Sequence, residues 1–151
     1  MRRLPPLTSI EAFVQTARFA AAYPSAMTAA DFVNQLNANA GGVLTDADKT
    51  QLETSAFGGP NAPSAGAAAR ASVVRQVAEN PTLQQREFNK AFVLMQYFGY
   101  LRRDPDSAPD TDFSGYNSWL TKLNQFDGNF VNAEMVKAFI TSIEYRQRFG
   151  Q

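Results

Sequence analysis

Apolar residues recur at spacings of three and four along almost the whole chain, and no stretch alternates apolar and polar positions as a strand would. This pattern predicts an all-α protein of about six or seven short helices. The first predicted helix runs from Thr8 to Tyr23, with Ile10 and Phe13 on its apolar face. It opens on a Thr-x-x-Glu capping pattern, and Pro24 would end it.

Two further helix starts carry a threonine followed three residues later by an aspartate. Thr28 precedes a helix that would run to Gly41-Gly42, and Thr45 precedes a short third helix. Residues 58–70 are rich in glycine, proline and alanine, which predicts a surface loop that leads into an alanine-rich helix. That helix would carry Val73, Val74 and Val77.

A long helix is predicted next, with Asn80 as its cap and Pro81 as its first residue. It would extend to about Arg102. Its predicted inward face comprises Phe88, Phe92, Met95, Phe98 and Leu101. Another helix follows around Trp119, and a last one starts at about Asn132 and places Met135, Phe139 and Ile143 at four-residue steps.

The chain is rich in aromatic residues, with twelve phenylalanines, five tyrosines and one tryptophan. Their helical spacing predicts that most pack in the core, and the alternative is an exposed aromatic face that docks another protein. The residues concerned are Phe88, Phe92, Phe98, Trp119, Phe139, Tyr145 and Phe149.

Internal similarity predicts a tandem arrangement. Phe32-Val33 and Asp46 recur sixty residues later as Phe92-Val93 and Asp106, and residues 72–88 resemble residues 134–149. Residues 12–24 resemble residues 138–150 in turn, which pairs Phe13 with Phe139 and Phe19 with Tyr145. We therefore predict the closing helix of a preceding repeat in residues 1–27, a degenerate repeat in 28–88 and a well-matched repeat in 89–151. The two repeats are expected to share one core, in a fragment of a larger protein.

Composition excludes several kinds of site. Fourteen basic residues balance fourteen acidic ones, which disfavours a dedicated nucleic-acid binder. Cysteine and histidine are absent, so disulfides, zinc-thiolate sites, histidine metal sites and Ser-His-Asp or Cys-His catalysis are excluded. The longest apolar run is about half the roughly 20 residues that a membrane span needs. No signal-peptide pattern is present, because prolines interrupt the segment after the basic start.

The aspartate-rich loop, residues 104–115, is the first candidate site. From Asp110, the chain reads Asp-x-Asp-x-Ser-Gly, the first half of an EF-hand calcium loop, but Thr121 stands where the bidentate glutamate belongs. The candidate calcium ligands are Asp104, Asp106, Asp110, Asp112 and Ser114. We favour a plain interhelical turn, in which Asp112 caps the helix of Trp119 and Asp106 closes the preceding turn.

Arg103 and Glu144 are the second candidate pair. Each is a charged residue in an aromatic-rich segment, so we predict a partly buried structural ion pair that ties the helix before the turn to the last helix. One arginine and one glutamate form no acid–base pair. An enzyme that uses two of the glutamates would need them within about 10 Å of each other.

The second repeat resembles a known family. Its residues, in order, are Phe92-Val93, Tyr97, Leu101, Arg103, Pro105-Asp106, Gly115, Trp119, Leu123, Gly128 and Ser142-x-Glu144-Tyr145. They resemble the bacterial domain of unknown function four-two-one-four and, in the pattern R-x-P-D…G…S-x-E-Y, the phycobilisome linker domain. The match spans residues 91–149. Residues 31–88 keep Phe32-Val33, Leu36 and Asp46 but lack the arginine, the tryptophan and the Ser-x-Glu-Tyr motif.

The resemblance implies a helical module of large exported or cell-surface bacterial proteins, sometimes beside calcium-binding repeats. It also implies that Arg103, Glu144, Trp119 and Tyr145 belong to the structural pattern. We therefore predict a non-catalytic interaction or assembly module, at the C-terminal part of a larger surface or secreted protein, that binds a protein partner or itself. The alternative is a calcium-dependent structural module that uses the loop 104–115.

Overall fold

The computed structural model describes residues 9–150, and this part of the chain contains nine α-helices and no β-strand. The all-α prediction is confirmed. The helices are α1 (Ser9–Val14), α2 (Ala17–Ala22), α3 (Ala29–Asn39), α4 (Asp46–Phe57), α5 (Ala67–Ala78), α6 (Pro81–Gln96), α7 (Ser114–Gln125), α8 (Met135–Thr141) and α9 (Ile143–Phe149). A π-helical turn, Tyr97–Leu101, follows α6 directly. None of these helices has the length and apolar character of a membrane span.

Predicted caps start three of the helices. Thr45 and Asp48 form a reciprocal capping box, in which the threonine hydroxyl accepts from the Asp48 N–H and the Asp48 carboxylate accepts from the Thr45 N–H at 2.9 Å. The Thr28 hydroxyl accepts from the N–H of Asp31 at 3.1 Å. Asn80 accepts from the backbone of Leu83 at 3.2 Å, and α6 begins at Pro81 as predicted. The predicted cap at Thr8 lies outside the described residues.

Two helices that were predicted as continuous are each divided by a capping side chain, which is why the helix count is higher than expected. Thr16 separates α1 from α2, and Ser142 separates α8 from α9. Both residues have an extended ψ, near 150°, and both accept a hydrogen bond from the N–H three residues ahead. A hydroxyl that takes this N–H ends one helix and begins the next.

The chain divides into two compact units, residues 1–83 and residues 84–151. In the first unit, α5 packs against α1, α3 and α4. Its core comprises Val14, Phe19, Tyr23, Phe32, Val33, Leu52, Ala71, Val73 and Val77. In the second unit, α8 and α9 pack on the π-helical turn. Its core comprises Val93, Tyr97, Leu101, Leu123, Ala133, Met135 and Phe139. The prediction of one shared core is corrected, because these clusters are separate and each lies in its own unit.

Three of the five residues predicted to face inward, Phe88, Met95 and Phe98, are exposed, so the prediction is wrong for them. Leu101 is buried and Phe92 packs partly buried against the second core, as predicted. The buried positions also include Asn89, Val93 and Gln96 of α6 and Tyr97 of the π-helical turn. The buried side includes two amides, which a hydrophobic pattern assigns to the surface. Asn89 is satisfied there, since it donates to the Asn124 side chain and accepts from that of Gln85, each at 2.8 Å. These hydrogen bonds compensate the burial of the Asn89 amide.

Candidate functional site

Arg103 is the centre of a charged cluster in the second unit, and only 8% of its side chain is exposed. It follows the π-helical turn, which ends on Arg102 in a left-handed conformation. Its Nε and Nη2 donate to the two carboxylate oxygens of Glu144, at 2.7 and 3.1 Å. Nη2 also donates to Asp110 at 2.7 Å. The structure thus contains the predicted Arg103–Glu144 pair, in a bidentate geometry, and adds Asp110 as a third member.

The remaining donors of Arg103 organise the aspartate-rich loop. Its Nη1 donates to the backbone carbonyls of Asp104 at 3.0 Å and Ser107 at 2.9 Å, and Pro105 between them is fully buried. The guanidinium also lies 5.2 Å from the centre of the Tyr97 ring. One arginine therefore links the loop, the end of the π-helical turn and α9.

The charges of the cluster balance. Arg148 places an Nη2 atom 3.6 Å from Glu144, so two guanidinium groups face the carboxylates of Glu144 and Asp110. The hydrogen-bonded carboxylate of Glu144 raises the pKa of Arg103 above its ordinary value, so the guanidinium is charged at every physiological pH. Burial, and then the negative charge of Asp110, raises the pKa of the Tyr97 hydroxyl. Both carboxylates are occupied by Arg103, and this arrangement stabilises the fold.

The other residues of the family-like pattern position this cluster. Ser142 caps α9, which puts Glu144 in the first turn, where the helix dipole favours a carboxylate. Gly115 lies near the start of α7, and a Cβ atom there would stand 2.9 Å from the Tyr97 hydroxyl oxygen and 3.6 Å from Asp110. Glycine at this position lets α7 approach the cluster closely.

We expect Gly115→Ala to destabilise the protein by about 1–2 kcal/mol, because the new methyl group would displace the buried Tyr97 ring. Thermal melting of Gly115→Ala and Gly115→Ala/Tyr97→Phe checks this reason. The double variant lacks the oxygen that the methyl group meets, so it should recover most of the loss relative to Tyr97→Phe alone. Equal losses in both backgrounds would contradict the explanation.

Trp119 and Tyr145 lie beside the cluster. Trp119 packs 5.5 Å from the Phe139 ring, with the Lys122 ammonium 5.2 Å from the indole. Tyr145 contacts Tyr100 edge to face at 6.1 Å. Trp119 and the cluster line a shallow groove of about 250 Å³, together with Tyr97 and Gly115.

The predicted calcium ligands do not come together. Asp110 is held by Arg103, and Asp112 accepts from the Ser114 N–H at 2.7 Å, in the role of a turn at the start of α7. The hydrogen bonds from Ser114 lower the pKa of Asp112. Within residues 9–150, no three acidic side chains form a group that could hold a metal ion. A calcium site at Asp104, Asp106, Asp110, Asp112 and Ser114 stays a prediction.

Thermal melting with and without millimolar calcium tests that prediction. We expect no shift, because the guanidinium already neutralises Asp110 and a cation would have to displace it. Asp104→Asn/Asp106→Asn is the suitable variant, since it leaves Asp110 and Arg103 intact. A calcium-dependent rise of about 2–6 °C that this variant removes would establish a metal site in the loop.

Sequence reasoning missed two features of the charged residues. Asp110 was considered only as a candidate calcium ligand, although its spacing from Arg103 also allows an ion pair across the turn. Arg70 was not singled out, yet it is buried in the first unit. The available signal was its position, because Arg70 stands at helical spacing from Val73 and Val77, on the apolar side of α5.

No protein-family model, curated protein or solved structure matched the chain. The resemblance to the domain of unknown function four-two-one-four stays a prediction that rests on the residues quoted for it. Those residues do converge in space, since Arg103, Gly115, Ser142 and Glu144 all contribute to one cluster.

Proposed function

We propose that the chain is a non-catalytic helical interaction or assembly module of a larger bacterial surface or secreted protein. The observation that carries this proposal is the apolar surface of the second unit. Its exposed large hydrophobic residues are Phe88, Met95, Phe98, Phe113, Phe126, Phe130, Val131, Ile140, Ile143 and Phe149. Single exposed apolar residues are ordinary, but a set this dense in 68 residues is typical of a surface that binds another protein.

Part of this surface is ordered by ring stacking. Phe88 stacks on Phe92 at 6.2 Å, and Phe92 stacks on Phe130 at 5.0 Å. We call these three rings and Val131 the aromatic row. A groove of about 320 Å³ adjoins it, lined by Phe130, Val131, Glu134, Val136 and Lys137. Stacked rings beside an apolar groove supply the rigid anchors that protein interfaces use most.

The acidic groups support a non-catalytic role. Glu87 pairs with Lys90 at 2.7 Å and Glu134 pairs with Lys137 at 3.0 Å, while Glu144 is bound to Arg103. The sequence offers Glu79, Glu87, Glu134 and Glu144 as candidates for paired catalytic carboxylates, and three of these four therefore have a cationic partner. The pKa of Glu134 is lowered by the hydrogen bond to Lys137, which is opposite to the shift that a general acid needs.

Light scattering and affinity capture from a bacterial lysate test the proposal. We expect wild-type protein to self-associate or retain a partner, and Phe88→Ser/Val131→Ser to lose that species without a change in melting temperature. Met95→Ser is the matched control, because Met95 is as exposed as Phe88 (59% and 60%) but lies outside the aromatic row. A wild-type chain that stays monomeric and retains nothing would contradict the proposal.

A further inference from the structure

The two ends of the described chain carry the same helix–cap–helix device. We call α1–α2 the N-terminal pair and α8–α9 the C-terminal pair. In the first, the Thr16 hydroxyl donates to the Phe13 carbonyl at 2.8 Å and accepts from the Phe19 N–H at 3.2 Å. In the second, the Ser142 hydroxyl bonds Phe139 and Tyr145 in the same way, at 2.8 and 3.1 Å. The residues that the sequence comparison aligns, Phe13 with Phe139 and Phe19 with Tyr145, thus make equivalent hydrogen bonds in the two pairs.

Equivalent apolar residues of the two pairs differ in burial. Val14 and Tyr23 are 5% and 7% exposed in the N-terminal pair, and their equivalents Ile140 and Phe149 are 40% and 42% exposed. We call Ile140 and Phe149 the open face of the C-terminal pair, whereas Tyr145 is partly buried against the core of its own unit. In the other direction, Phe13 is 52% exposed and its equivalent Phe139 is 4% exposed. Each pair therefore buries the side that the other leaves to solvent.

Helices α3 to α5 cover this face in the N-terminal pair. The rings of Phe19 and Tyr23 contact Phe32 at 6.3 and 5.4 Å, and α1 packs along α5. Polar groups complete the fit, because Asn39 donates to the Tyr23 hydroxyl and Arg70 donates to the Tyr23 carbonyl, both at 2.7 Å. Residues 29–78 thus form a groove that fits the apolar side chains at these positions.

A third joint of the same kind, at Asn80 between α5 and α6, does not share this arrangement. Asn80 donates to the Val77 carbonyl and accepts from Leu83, but α6 then continues for 16 residues. In contrast, α2 has six residues and stops before Pro24, and α9 has seven and stops at Gly150 in a left-handed conformation. The C-terminal pair therefore resembles the N-terminal pair in the short length of its second helix as well as in its cap.

From these observations, we propose that the open face docks into the α3–α5 groove of a second copy of this chain, in place of that copy's N-terminal pair. The interface would be the one seen in the first unit, with Ile140 in place of Val14 and Phe149 in place of Tyr23. The inference goes beyond the proposed function, because it concerns the open face and not the aromatic row, and it names a second copy of the chain as the partner. The chain carries no net charge, so two copies do not repel each other at long range.

The proposal implies a head-to-tail contact that depends on concentration. Phe149 has no hydroxyl for Asn39, and the resident pair is held on the same chain, so the second copy competes only at high concentration. A contact between different surfaces of two copies leaves the groove of one and the open face of the other unused. Further copies can then add, and species larger than dimers are expected.

Sedimentation velocity of the full chain, from micromolar to millimolar concentration, is the first test. We expect Ile140→Asp to weaken association by about tenfold or more. Ile143→Asp is the control, because Ile143 is still more exposed than Ile140 but its equivalent, Ala17, is also exposed and lies outside the shared face. The proposal would be overturned if Ile140→Asp associated as strongly as the wild type. It would also be overturned if Ile143→Asp lost as much association as Ile140→Asp.

A chimera tests the fit without requiring association. Residues 9–23 of the full chain are replaced by the sequence of residues 135–149, which puts a copy of the C-terminal pair beside its proposed groove. We expect the amides of α3 and α5 to stay protected from exchange in this chimera. Their protection should fall when the isoleucine transplanted from position 140 is replaced by aspartate. Loss of protection in the unmodified chimera, or indifference to the aspartate, would overturn the proposal. The function proposed above stands or falls separately, with the Phe88→Ser/Val131→Ser comparison.

Discussion

Glu144→Ala is expected to lower the free energy of unfolding by about 3 kcal/mol, because it leaves Arg103 buried with only part of its charge compensated. Glu144 supplies both oxygens of a bidentate pair, and Asp110 reaches only Nη2. Water has little access to the guanidinium, so solvation does not replace the lost carboxylate. The pair also ties α9 to the loop 104–107, and we expect both segments to loosen together.

Thermal melting measures the effect, as a fall of about 6–12 °C for a chain of this length. Glu144→Gln is the matched control, since it keeps the shape and one acceptor oxygen but removes the charge. Its melting temperature should fall less than that of Glu144→Ala, but it should still lie below that of the wild type. Glu134→Ala, which removes an exposed partner of Lys137, should leave the melt unchanged. If Glu144→Ala had the melting temperature of the wild type, the structural role of the pair would be contradicted.

Local signals in the sequence predicted the helices well. Capping residues are short-range devices, and the bonds at Thr28, Thr45 and Asn80 involve backbone only two or three residues away. The pattern did not show that Thr16 and Ser142 interrupt helices, because apolar spacing continues through both positions. A hydroxyl inside a helical pattern can face solvent or cap a new helix, and packing decides between these outcomes.

The buried side of α6 and the membership of the charged cluster depend on distant partners. Asn89 is buried because Asn124, 35 positions later, accepts its amide, and a hydrophobic pattern carries no record of that bond. The Arg103–Glu144 pair was predicted because both residues stand in aromatic-rich segments. Asp110 was assigned differently, because in a sequence the same carboxylate fits a metal loop or an ion pair. Only the position of the guanidinium, 2.7 Å away, distinguishes them.

Arg70→Ala is expected to cost about 3 kcal/mol in the first unit, for a reason that differs from the Glu144 case. Arg70 is 5% exposed, and its hydrogen bonds go to neutral oxygens: the carbonyls of Tyr23, Pro24 and Ser64 and the Ser64 hydroxyl. Its guanidinium also lies 4.9 Å from the centre of the Phe32 ring. Burial lowers the pKa of this group.

The stabilisation comes from the carbonyls that Arg70 satisfies. It is the donor to the Tyr23 and Ser64 carbonyls, and its removal leaves these acceptors without that bond next to a buried ring. An ammonium group cannot reach acceptors spread around a planar fork, so Arg70→Lys should lose nearly as much as Arg70→Ala. Arg75→Ala, at an exposed position of the same helix, is the control and should melt like wild type.

Hydrogen exchange localises the loss. We expect Arg70→Ala to expose the amides of α2 and of residues 23–28, which the arginine holds through Tyr23 and Pro24, while the amides of α7 and α9 stay protected. Glu144→Ala should produce the opposite distribution. If Arg70→Lys melted like wild type, the cation would be the stabilising element and the carbonyl argument would fail. The two arginines therefore separate two uses of one side chain: Arg103 neutralises carboxylates, and Arg70 completes the hydrogen bonding of a turn.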